Sequence, residues 1–183
     1  MRTFLSSLLF VCCLSTSWAG ELLDAHVNYE DDHYLVHMDM RVKGKRDAIY
    51  AIITDFDNIT AVNDTIVYSK LLESKGKQHR VHFESEGCIW IFCRRVKQVV
   101  TVSEMANGYI LSIVDPAESD VKYGRTLWHI IDEGKMTRIK YDADFVPDFW
   151  VPPIIGPMII KQRMLIEGQK TINGIESLAN RKQ

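Results

Sequence analysis

The middle of this chain constrains its fold most. From Thr65 to Phe145 one β-rich segment follows another, and several of the links are short and turn-forming: Ser74-Lys75-Gly76, Asn107-Gly108 and Asp132-Glu133-Gly134-Lys135. Links this short join antiparallel neighbours, because a parallel pair needs a crossover of a dozen residues or more. Thr65–Leu72 reads as a strand, and Gln78–Glu86 alternates, with Val81 and Phe83 on one face. Tyr109–Val114, Val121–Ile131 and Met136–Phe145 read as further strands. Cys88–Glu104 is a longer β-rich stretch whose break is expected near Cys93–Arg95. The reading predicts about six antiparallel strands in this region.

The flanks differ in period. Leu22 to Tyr29 alternates weakly and ends at the turn-like Glu30-Asp31-Asp32. Val36, Met38, Met40 and Val42 share one face of the next strand, with His37, Asp39 and Arg41 on the other. Beyond Gly44, Asp47 is the expected helix cap, and Ala48, Ile49, Ile52, Ile53 and Phe56 recur at helical spacing. Ile59–Asp64 forms a second short turn. After the strands, Val146–Pro157 mixes prolines with Phe149, Trp150, Val151, Ile154 and Ile155. Pro157 suits the first turn of a helix. From there Met158, Leu165, Gly168, Ile172, Ile175 and Ala179 form an apolar stripe, widened by Met164, Thr171 and Leu178. Lys161, Arg163, Glu167, Lys170 and Glu176 make its polar surface. This helix spans about 20 residues, roughly 30 Å. The order predicts an α+β fold in which a curved antiparallel sheet wraps a long C-terminal helix.

The N-terminus reads as a secretory signal. Arg2 supplies a positive start, Phe4–Ser15 is an uncharged apolar run, and Ser17-Trp18-Ala19 offers a small-x-small cleavage site. Residues 1–19 are therefore expected to be removed, leaving one domain over 20–183, exported to the periplasm in a bacterium and otherwise secreted. Cys12 and Cys13 would leave with the signal, and Cys88 and Cys93 remain. Five steps along a strand span about 16 Å, whereas a disulfide wants Cα atoms within about 7 Å. A bridge requires a sharp bend or hairpin at Ile89–Phe92, which are poor turn residues. Both readings stay open, a disulfide across such a bend or two buried free thiols on a strand.

Composition and motifs exclude several functions. The net charge of −2 comes without a basic stripe, so nucleic acid is not an expected partner. No Gly-x-Ser-x-Gly, phosphate loop or dinucleotide fingerprint occurs. His33 and His37 lie about 13 Å apart on an extended strand, and His79 and His82 point to opposite faces, so neither a metal nor a cofactor is expected. Asp142 and Asp144 share a strand face and read as solvated carboxylates. Of the adjacent Arg94 and Arg95, one can point inward. Asn58-Ile59-Thr60 and Asn63-Asp64-Thr65 are glycosylation sequons.

This order of elements resembles the START-like, or SRPBCC, superfamily of helix-grip folds, which includes lipid-transfer START domains, polyketide cyclases/dehydrases and coenzyme Q-binding proteins. Val42 to Phe56 looks like the first strand running into the first helix. Tyr123–Ile130 with Gly134–Tyr141 looks like the last hairpin, and Phe145 to Asn180 like the proline-marked closing helix. The resemblance implies a pocket between sheet and helix for an elongated apolar ligand. Trp128, Ile130, Ile139, Tyr141 and Phe145 would face it from the strands, and Met158, Met164 and Leu165 from the helix. The same residues can instead pack as a dry core.

Phe149 and Trp150 open a segment, Phe149–Ile155, expected to form either a lip that gates a pocket or touches a membrane, or a plug. The expected function is an exported carrier of a hydrophobic small molecule such as a lipid, quinone or polyketide-like compound. The alternatives are a cyclase or dehydratase using Arg95, His129 or Tyr141 in the same cavity, or an interaction module with a collapsed core.

Overall fold

A computed structural model describes residues 20–89, 92–151 and 155–181. The proposed signal, residues 1–19, lies outside them. Strands β1 (Glu21–Glu30) and β2 (His33–Lys43) form the first hairpin. Helix α1 (Arg46–Ile53) and a 3-10 turn at Ile59–Ala61 follow. A meander then runs through β3 (Ile66–Lys75), β4 (Gln78–Ile89), β5 (Phe92–Glu104), β6 (Tyr109–Val114), β7 (Val121–Glu133) and β8 (Met136–Pro147), and helix α2 (Gly156–Arg181) closes the fold. The strands form one antiparallel sheet in the order β1-β2-β8-β7-β6-β5-β4-β3. The link through α1 therefore carries the chain across the sheet, and the meander returns it until β8 pairs with β2. This is the expected α+β helix-grip arrangement.

Local chemistry explains the turns. Asn107 and Gly108 both have positive φ, 59° and 81°, which asparagine and glycine tolerate best. A side chain at Gly108 would also meet the Ile130 carbonyl, 2.4 Å from the position of its Cβ. The break in the long β-rich stretch falls between Ile89 and Phe92, which are register partners, and not at the expected Cys93–Arg95. Cys88 thereby stands opposite Cys93, Cα to Cα 3.9 Å, and the two are disulfide-bonded. Asp47 does not cap α1. Lys45 holds that position, and Asp47 sits in the first turn, where its charge complements the helix dipole.

The core gathers at one end of the sheet. Met40 and Val42 of β2, Ile49 of α1, Ile130 of β7, Ile139 of β8, and Ile172 and Ile175 of α2 are all at most 1 % exposed. Each such side chain contributes about 1.5–3 kcal/mol. Helix α2 reaches 26 residues, longer than its stripe implies. Its C-terminal half docks closely: a Cβ on Gly174 would lie 1.8 Å from the Val62 carbonyl oxygen, so only glycine admits this approach. Glu176 accepts a hydrogen bond from the Lys43 backbone N–H at 2.6 Å, which ties the helix to the end of β2.

Paired charges cover the outer sheet face. Arg138 donates to both oxygens of Asp39, at 2.8 and 2.6 Å, which explains how a residue of the polar face is buried. This guanidinium holds the Asp39 carboxyl below its usual range. Asp142 and Asp144 are not simply solvated. Their oxygens lie 2.6 Å from Nδ1 of His37 and His33 respectively.

Candidate functional site

A cavity of about 890 Å³ lies between the sheet and the N-terminal half of α2. Its origin is a change in side-chain size along the inner sheet face. At the core end Met38, Met40, Ile130 and Ile139 fill the space under the helix. At the other end the inward residues of β7 and β8 include Gly124, Thr126 and Ala143, which are too small to do so. Gly124 is not free to enlarge, because its Cβ would meet the Val114 side chain at 2.4 Å. Val96 and Gln98 of β5 and Tyr141 and Phe145 of β8 complete the floor, and Ile160, Arg163, Met164 and Glu167 of α2 form the roof. Phe149, Trp150, Val151 and Ile155 stand at the rim with the Cys88–Cys93 bridge. Residues 152–154 lie outside the described residues. The volume falls within the ~300–1,000 Å³ of small-molecule sites.

Polar groups occur in the floor, in the roof and at the rim. The Arg94 guanidinium carbon lies 4.5 Å from the centre of the Phe149 ring. Glu167 accepts a hydrogen bond from Thr65 Oγ1 at 2.8 Å, while its other oxygen is buried without a hydrogen-bond partner among the described residues. Burial pushes the Tyr141 phenol above its usual pKa, with Thr126 partly opposing that rise.

Tyr141, Phe145, Phe149, Trp150 and Met164 line this cavity. The other five expected ligand contacts lie elsewhere. Ile130 and Ile139 are in the filled core. Trp128 packs edge-on against Tyr141, ring centres 4.7 Å apart, at the boundary between core and cavity. Leu165 is half-buried outside the lining. Met158 is 65 % exposed on the outside of the helix start. Periodicity identifies the inward face but does not report where that face meets a partner.

Of the acid–base candidates, Arg95 is largely exposed and pairs with Glu84 at 3.4 Å. His129 stacks on Tyr109, ring centres 3.9 Å apart, away from the cavity, and desolvation lowers its pKa. Only Tyr141 of the three lines the space. Arg94, not Arg95, is the arginine that reaches it. Sequence reasoning placed Arg163 and Glu167 on the solvent face of α2, and both line the roof. A signal for them existed: Ile160, Met164 and Glu167 fall at i, i+4 and i+7, a second stripe beside the core stripe. Asn63 of the second sequon is buried and donates to Thr171 Oγ1 at 3.1 Å, whereas Asn58 of the first is exposed.

On the outer face a shallower depression of about 450 Å³ is bordered by His26, His37, Arg125 and Asp142. Among the described residues no group of three or more His, Cys, Asp or Glu side chains is arranged to hold a metal ion.

No protein-family model matches the sequence, and no curated protein matches it. Solved structures do share its fold. A START superfamily protein from Mycobacterium smegmatis superposes with a TM-score of 0.66 at 17 % identity, covering 81 % of this chain and 99 % of that one. The Zhui aromatase/cyclase from Streptomyces sp. R1128 gives 0.62 at 12 % identity, covering 82 % and 95 %. A STAR-related lipid transfer protein fragment from Xanthomonas axonopodis gives 0.60 at 11 % identity, covering 85 % and 98 %. The fold of this chain is START-like.

Proposed function

We propose that this chain is an exported carrier that holds a hydrophobic small molecule between its curved sheet and α2. The observation that carries the reading is the cavity of about 890 Å³ with largely apolar walls. Removing a ligand's apolar surface from water there yields about 25 cal/mol per Å². The fold is shared with a lipid transfer protein and with an aromatase/cyclase, and both names fit a site of this kind. Export is supported by the signal-like residues 1–19 and by the Cys88–Cys93 bridge, which suits an oxidising compartment. Trp150, 80 % exposed, and Met158 stand on the outside near the rim, which supports transient contact with a membrane surface during loading. Mass spectrometry of lipophilic extracts from gently purified protein tests the reading. A stoichiometric apolar compound is the expected result, and protein repeatedly recovered empty and unable to take up apolar probes overturns it. Intact-mass measurement tests export, with a chain beginning at Gly20 expected.

A second reading is a cyclase- or dehydratase-type enzyme working in the same cavity. What favours it is that Arg94, Tyr141 and Glu167 all line one apolar space. Ring closure or loss of water in a poly-β-ketone incubated with the protein, abolished by Tyr141→Phe, would assign catalysis. A compound carried through unchanged assigns transport.

A further inference from the structure

Two guanidinium groups from different elements converge on one side of the cavity. Arg94 enters from β5 and Arg163 from α2, and both line the space. The register places Arg94 opposite Gly87 of β4. Arg163 Nη2 comes down onto the same spot, 3.9 Å from where a Gly87 side chain would begin.

Among the described residues neither cation is hydrogen-bonded to a carboxylate. Among the described residues Arg94 has no carboxylate within ion-pair reach, and its partner is the Phe149 ring at 4.5 Å. Stacking engages one face of the guanidinium and leaves its N–H edge able to donate. Among the described residues Arg163 meets one carboxylate, Glu167, at 3.9 Å, beyond hydrogen-bonding distance. Two carboxylates line the cavity. Glu86 is exposed, and Glu167 is held by Thr65 Oγ1 at 2.8 Å with Lys170 Nζ 3.7 Å away. Arg94 is exposed at the rim and Arg163 is half-buried, and two guanidinium groups with free N–H edges beside an apolar space suit a planar or tetrahedral anion, which accepts two N–H bonds at once.

We propose that the cavity takes an amphiphile with an anionic head, a carboxylate or a phosphate monoester. The head lies between Arg94 and Arg163, and the tail lies along Val96, Val114, Phe145 and Met164. This inference rests on the reading of the cavity as a binding site for an apolar ligand, and it adds the head-group class.

The test uses protein purified from its native host and freed of bound compound. Calorimetry measures binding of tetradecanoate, tetradecyl phosphate and the uncharged tetradecanol. The better-matched anion is expected to bind about tenfold or more tightly than the alcohol, the effect of hydrogen bonds to a charged group. The anion that binds more tightly identifies the head as carboxylate or phosphate. Arg94→Gln and Arg163→Gln should each bring the anion's affinity towards the alcohol's and leave the alcohol's own affinity unchanged. Where a variant weakens both ligands, Arg94→Lys decides: restored preference for the anion supports the proposal, and none overturns it. Equal binding of anion and alcohol by the unaltered protein overturns the head-group inference and leaves the cavity reading standing. If none of the three ligands binds, both fall together.

Discussion

Replacing Ile172 and Met164 by alanine, one at a time, tests the division of α2 into a packed half and a half that roofs a cavity. The two residues lie eight positions apart on adjoining inward stripes of the helix, and each substitution removes three heavy atoms. Ile172 is 0 % exposed in the buried core, where α2 packs against β1, β2 and α1. Three carbons lost from such a site cost about 2.4 kcal/mol in transfer free energy. An unrelaxed void of about 80 Å³ adds nearly 2 kcal/mol, so the expected cost is about 4 kcal/mol.

Met164 borders a space of about 890 Å³ that is already open. Its removal enlarges that space without creating a new void, so the cavity contribution vanishes. Met164 is also only half-buried, and its transfer contribution is partial. The expected cost is below about 2 kcal/mol. Urea denaturation of the ligand-free protein, followed by far-UV circular dichroism, measures both values. Ligand affinity should fall for Met164→Ala and stay constant for Ile172→Ala. Equal destabilisation by the two substitutions would refute the reasoning, because it would mean that α2 is packed alike along its whole length.

Three further outcomes are expected. Reduction of Cys88–Cys93, which closes a loop of sequence separation 5, should cost about 2 kcal/mol on the chain-entropy account, and neither thiol should alkylate before reductant is added. Arg138 holds the Asp39 carboxyl below its usual value, so the pair stabilises the fold above the unfolded value near 3.8 and that contribution disappears as pH falls through the lower folded value; Asp39→Asn should flatten this part of the acid-unfolding curve. Trp150→Ala should shift stability by no more than about 0.5 kcal/mol, since the side chain is 80 % exposed, while weakening retention of the bound compound; a collapse of stability with binding intact would mean a plug.

Much of the architecture was legible because its signals are local. A period of two and the turn residues Asn107-Gly108 and Gly134 mark the C-terminal end of β5 and both ends of β6, β7 and β8 within one or two residues. The hairpin between β4 and β5 was harder. The residues of Ile89–Phe92 are poor turn formers, and the break was expected near Cys93–Arg95. The site was legible by half. Tyr141, Phe145 and Met164 follow from facing inward, but Ile130 and Ile139 face inward too and meet solid packing. That difference is set by Gly124, Thr126 and Ala143 on neighbouring strands, small residues whose effect exists only once the ladder aligns them. Arg163 and Glu167 escaped because a charged residue on a helix is first read as solvated.

The uneven seating of α2 has a consequence for the timing of its motions. A single backbone ladder of 26 residues spans two regimes of local stability. The turns beyond Gly168 can exchange their amide hydrogens only when the core around Ile172 and Ile175 opens, so their protection reports global unfolding. The turns before Gly168 lack that burden. They can unwind and re-form while the rest of the chain stays folded, and a bound molecule beneath them slows this local exchange alone. Occupancy is thereby written as a step in amide protection partway along one helix, at the glycine that rests on Met38.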